Sequence, residues 1–136
     1  MIHHFVLPLP PSVNSMRTVT QGWDARIVNK KSTRDYFDHA EMVLRGQIRK
    51  LGVVLSPERP YLFIPEKDDW IDVSIIYFGL TRRFDSDSAN KAAIDALEKG
   101  RVFKNDNQVD SGSWHRSRVK GRKECVLRVE LIKGKS

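Results

Sequence analysis

The strongest constraint in this 136-residue chain is a stripe of small residues. Ala89, Ala92, Ala93, Ala96 and Leu97 recur at i, i+3, i+4, i+7 and i+8, the spacing of one helix face. So little side chain on that face lets the helix sit close to a sheet. Just upstream, Trp70 to Leu80 is a β-branched and aromatic run that predicts a central strand. Gly100, after Lys99, is the expected stop of the helix.

The rest of the chain fills in around this pair. His3 to Leu9 predicts a short strand that ends among Pro8, Pro10 and Pro11, which cannot donate to a ladder. Residues 12–31 predict a polar loop. From Ser32 or Thr33, as N-cap, a second helix is expected, with Tyr36, Ala40, Val43, Leu44, Gln47 and Ile48 at helical spacing until Gly52. Residues 53–70 hold Pro57, Pro60 and Pro65 and predict an irregular segment, with Tyr61 to Ile64 as a possible short strand. A loop of that length is often a lid or a partner contact. Val109 to Arg118 and Glu124 to Ile132 alternate as two strands, expected to form a hairpin through Lys120-Gly121-Arg122. The expectation is one α/β (α+β) domain over residues 1–136, a mixed sheet with two helices in the order β-α-β-α-β-β.

Charge narrows the partners. The net charge is +7; residues 1–80 hold 10 basic and 9 acidic residues, and residues 81–136 hold 14 and 8. The excess therefore sits in the C-terminal part, where it suits a polyanion such as nucleic acid. Arg82 and Arg83, with Arg116, Arg118, Lys120 and Arg122 around Trp114 and His115, are the candidate phosphate contacts. Val73 to Leu80, broken by Ser74 and Gly79, falls far short of the ~20 apolar residues of a membrane span. A single cysteine, Cys125, excludes an intramolecular disulfide and a cysteine zinc cluster. No membrane contact, no small-molecule cofactor and a cytoplasmic location are expected.

The chemistry candidate is Asp85-Ser86-Asp87, followed at Asp106 by a third aspartate. Two aspartates leaving a strand at i and i+2 point to one side. Converging carboxylates repel, and a hard cation such as Mg²⁺ relieves that repulsion. Lys91, four residues after Asp87, shares its helix face and can meet phosphate charge. Each residue also has a plainer role: Asp87 as a helix cap, Asp106 as turn chemistry, Lys91 as the partner of Asp95.

Taken together, these residues resemble the RusA family of Holliday junction resolvases, the crossover junction endodeoxyribonucleases of bacteria and their phages. The likeness opens with Leu7-Pro8-Leu9-Pro10-Pro11-Ser12-Val13-Asn14. It is strongest where Asp85-x-Asp87, Lys91-Ala92-Ala93-x-Asp95-Ala96-Leu97 and Asp106-x-Gln108-Val109 follow in the family's order. The resemblance implies Asp85, Asp87 and Asp106 as catalytic, Mg²⁺-binding carboxylates, Lys91 as the catalytic lysine, branched DNA as substrate and a homodimer as the working form. Ser88 departs from the asparagine common after the second aspartate, and Asn105 from the acidic residue that often precedes the third. A broader flap or fork nuclease, and a DNA-binding module without catalysis, are the competing readings.

Overall fold

The computed structural model describes residues 1–10, 23–80 and 86–134, the first ten residues of the helix from Trp23 by backbone alone. Strand β1 (Ile2–Pro8) leads to helix α1 (Trp23–Lys50), then β2 (Trp70–Phe78) and α2 (Ser86–Lys99). A 3-10 turn (Asp106–Gln108) precedes β3 (Val109–Ser117) and β4 (Glu124–Ile132). The architecture is the expected α+β one, with a mixed four-stranded sheet in the order β1-β4-β2-β3.

Strand pairing departs from the expected hairpin. β4 runs antiparallel between β1 and β2, while β3 lies parallel to β2 on its far side. β3 and β4 are consecutive in the chain but flank β2. Ile71, Val73, Ile75 and Tyr77 are all buried on one face of β2, and such a strand is best satisfied with a neighbour on each side. The chain therefore crosses the end of β2 between β3 and β4, a gap of two strand spacings or roughly 10 Å. At the crossing stands Gly79, with φ 78°, where a Cβ would overlap the Arg122 carbonyl. The parallel β2–β3 pair uses α2 as its crossover, as a parallel pair requires.

Helix α1 begins at Trp23, so residues 23–31, expected as loop, are helical and Ser32 and Thr33 are interior rather than capping. No proline interrupts Trp23 to Lys50, Ala25 and Arg26 are good helix formers, and Asp24 falls in the first turn, where a negative charge suits the helix dipole. Its buried stripe is Ala40, Leu44 and Ile48, as the spacing predicts. Gln47 closes the outer edge of β1: its Oε1 accepts from the Val6 N–H at 2.9 Å and its Nε2 donates to the Val6 carbonyl at 2.7 Å. Tyr36 Oη donates to the Pro8 carbonyl, and burial holds that phenol well above its ordinary pKa.

Ala89, Ala93, Ala96 and Leu97 of α2 are buried in the same hydrophobic cluster as β2 and β4. The end of α2 is subtler than a glycine stop. Arg101 N–H donates to the Glu98 carbonyl and Val102 N–H to that of Leu97, with Arg101 itself at φ 63°. This is a Schellman closure whose left-handed residue is an arginine. Gly100 serves packing instead: a Cβ there would meet the Leu44 side chain of α1 at 2.5 Å.

The proline-rich 53–70 segment is neither a strand nor a detached lid. Leu62 and Phe63 are buried, and their N–H groups donate to the carbonyls of Arg101 and Val102. Asp69 accepts from the Gly134 and Glu66 N–H groups, which, with a lesser contribution from Lys133, hold its carboxyl below the usual range despite the opposing effect of desolvation. Cys125 is buried, its thiol pushed up to about 12 chiefly by desolvation. Among the described residues, no helix is long and apolar enough to cross a membrane.

Candidate active site and nucleic-acid interface

Because α2 runs antiparallel to the strands it connects, its N-terminus lies toward the C-terminal ends of β2 and β3. Asp87 is exposed in its first turn, where a negative charge complements the helix dipole. Asp87 thus sits on a helix and not on a departing strand, so the alternation argument for its pairing with Asp85 does not apply. Arg82, Arg83 and Asp85 lie outside the described residues. Asp87, Lys91 and Asp95 follow at i, i+4 and i+8 along one side of α2.

Asp106 arrives from the 3-10 turn, which is locked from within. Asn105 Oδ1 accepts from the Asn107 N–H at 3.0 Å, and Gln108 Oε1 accepts from the Asn105 N–H at 3.2 Å, a reciprocal capping box. The Asn105 side-chain oxygen holds the turn that carries Asp106, a role an aspartate fills equally well, so the departure at this position leaves the cap intact. The turn brings Asp106 to the C-terminal half of α2, where carboxylate oxygens of Asp95, Glu98 and Asp106 all lie within 4.8 Å of one another. Asp87 is eight residues before Asp95, about 12 Å along the helix axis.

Burial first, and mutual repulsion second, set the electrostatics of this group. Burial raises the Asp95 pKa, Lys91 opposes that rise, and Asp106 adds to it. Glu98 is raised by burial and then by Asp106 and Asp95. Three oxygen donors, crowded and partly desolvated, suit a hard divalent cation. Glu98 is the member that sequence reasoning missed, and Asp95 appeared there only as a partner of Lys91. Their i, i+3 spacing puts them on one face, but only the tertiary return of Asp106 makes them a group.

The basic residues form their own feature. The crossing from β3 to β4 encloses a pocket of about 980 Å³ lined by Arg116, Arg118, Lys120, Arg122 and Lys123 beside Gly79. Arg122 is held on two sides. Its guanidinium lies 3.9 Å over the Phe78 ring, and its Nε donates to Glu124 Oε1 at 2.5 Å. It shapes the wall of the pocket as well as charging it.

An α+β domain that carries crowded carboxylates and a wide basic pocket suits proteins that act on nucleic acid. The family model described as Endodeoxyribonuclease RusA matches residues 8–131, nearly the whole chain. The chain belongs to the RusA endodeoxyribonuclease family, which supports hydrolysis of DNA phosphodiester bonds. Among curated proteins it finds no match.

Proposed function

We propose that this chain is a Mg²⁺-dependent, structure-selective endodeoxyribonuclease that resolves four-way DNA junctions by paired symmetric nicks in recombination and repair. The observation that carries the reading is Asp106, fixed by its own capping box against two further carboxylates. Asp95, Glu98 and Asp106 are the carboxylates close enough together to hold the ion, whereas Asp85 and Asp87 are assigned beside Asp106 by the family resemblance, Asp87 standing about 12 Å along α2 from Asp95. When bound, Mg²⁺ supplies Lewis acidity at a phosphoryl oxygen and a water of lowered pKa. Lys91 places an ammonium between Asp87 and Asp95, where charge grows on the phosphate. Arg116, Arg118, Lys120 and Arg122, with Arg82 and Arg83, hold the DNA arms. Two opposed nicks call for two symmetric sites, hence a C2 homodimer.

Cleavage of a four-way junction, a flap and a linear duplex, each with and without Mg²⁺, tests the reading. Paired nicks in opposite arms support it. Indiscriminate cutting points to a broader branch nuclease, and tight binding without any cutting to a non-catalytic module.

Binding should show its electrostatic origin. With about six phosphate contacts the log–log salt slope is expected near −5, so affinity falls ~10³-fold between about 50 and 200 mM salt. Replacing Arg116, Arg118 and Lys120 together by alanine should flatten the slope by about two to three units. A slope unchanged in titrations of that variant places the DNA elsewhere.

A further inference from the structure

A second concave feature lies between α2 and the edge strand β3. It is a groove of about 300 Å³ lined by Val73, Ile75, Asn90, Ile94 and Trp114 among others. Ile75 is buried and pairs with Trp114 in the parallel register, so the two side chains share the helix-bearing face of the sheet. Trp114 contacts the Tyr77 ring at 6.5 Å between centroids, at 64° between planes, yet stays 40% exposed. Tyr77 is itself fixed, its Oη donating to Asn90 Oδ1 at 2.6 Å. The indole is therefore held from behind by an anchored ring and open in front.

The surroundings say what would cover it. Arg116, two residues along the same strand face, lines the basic pocket, so the groove continues directly from the phosphate-binding surface. At its other end Val109 follows the turn that carries Asp106. Val109 to Trp114 spans about 16 Å of strand. A DNA strand held in the basic pocket would thus pass over Trp114 on its way to Asp106. Duplex DNA keeps its bases stacked on one another, whereas at a branch point a base can leave the stack. An aromatic platform then offers it a partner without regard to its identity.

We propose that the α2–β3 groove is a base-binding subsite in which Trp114 stacks one unstacked nucleobase of branched DNA. The proposal rests on the nucleic-acid reading above and adds the device that separates branched from linear DNA. Charge supplies affinity for any DNA, and Trp114 adds affinity only where a base is available. Its position, several nucleotides from Asp106, makes it a determinant of selectivity and not a catalytic residue.

The test measures binding of a four-way junction and of a linear duplex without metal, for the full chain and for Trp114→Ala and Trp114→Phe. Trp114→Ala is expected to weaken junction binding about 10-fold, within the range of one lost base stack, and to leave duplex binding within about twofold. Trp114→Phe should recover most of the loss, and neither variant should change the salt slope, because no phosphate contact is removed. Equal binding by Trp114→Ala and wild type, or equal loss on both DNAs, overturns the subsite. A change of mass in sedimentation for Trp114→Ala also overturns it, since the indole would then be covered by a second copy of the chain. Failure of the wild type to bind either DNA defeats the nucleic-acid reading itself, and with it the subsite, before any substitution is made.

Discussion

Asp106→Asn is expected to abolish Mg²⁺-dependent cleavage and, at the same time, to make the metal-free protein more stable. The loss of activity follows from removing a charged ligand where a cation's Lewis acidity is worth several kcal/mol, or roughly 10³-fold in rate. The gain in stability follows from the crowd around Asp106, which lies against Asp95 and Glu98. Both neighbours titrate above their ordinary range, chiefly through burial and in part through Asp106. A carboxyl whose folded pKa is raised stabilises the fold fully below its unfolded pKa, near 4, and loses that contribution as pH rises through the folded value. At neutral pH the wild-type group therefore carries a penalty. Asp95 and Glu98 are partly buried but Asp106 is exposed, so removing its solvent-screened charge should recover only about 0.2–1 kcal/mol. Denaturant melts from pH 4 to 8 should show the wild type losing more stability than Asp106→Asn over the rise. Mg²⁺ at ten times its dissociation constant should add about 1.4 kcal/mol to the wild type and little to the variant. If Asp106 were only turn chemistry, Asn would replace it with no change in melts, Mg²⁺ response or cleavage.

Lys91→Ala is expected to slow single-turnover junction cleavage by ~10²-fold or more while junction affinity stays within about twofold. Lys91 is exposed on α2, where alanine is an excellent helix former, so the fold is not at risk. The ammonium stands next to Asp95 and partly offsets the rise in its pKa. A purely electrostatic partner of Asp95 would predict something different: a further rise in the Asp95 pKa, a slight loss of stability at neutral pH and normal cleavage. Asp95→Asn separates the two. Slow cleavage in Lys91→Ala that persists in the Lys91→Ala/Asp95→Asn double variant assigns the effect to the substrate. Restoration of rate in the double variant assigns it to Asp95.

Local signals were faithful where the physics is local. The alanine stripe of α2 and the Ala40, Leu44 and Ile48 stripe of α1 bury the faces their spacing indicates. The β-rich run at Trp70 became the central strand, since a row of branched side chains is stable only with neighbours on both sides. The charge asymmetry was equally legible, and the structure gathers five of those basic residues into one pocket. The start of α1 was not, because Ser32 and Thr33 look the same as caps and as interior residues when the preceding turn is polar.

Residue types and their spacing by themselves determined the α+β class, the two helices, the basic C-terminal half and the likeness to the RusA family that the family-model match bears out. Tertiary structure alone decided that β4 enters between β1 and β2, because strand neighbours are chosen by the total surface buried and not by order in the chain. It also decided that Gly100 serves the approach of Leu44 while Arg101 takes the left-handed cap, since a glycine's reason is visible only in what lies beside it. The same holds for Asp106. Its place after the helix and before a strand could be read from the sequence, but its company of Asp95 and Glu98 depends on where a turn of three residues returns the chain, and that is set by packing across the whole domain.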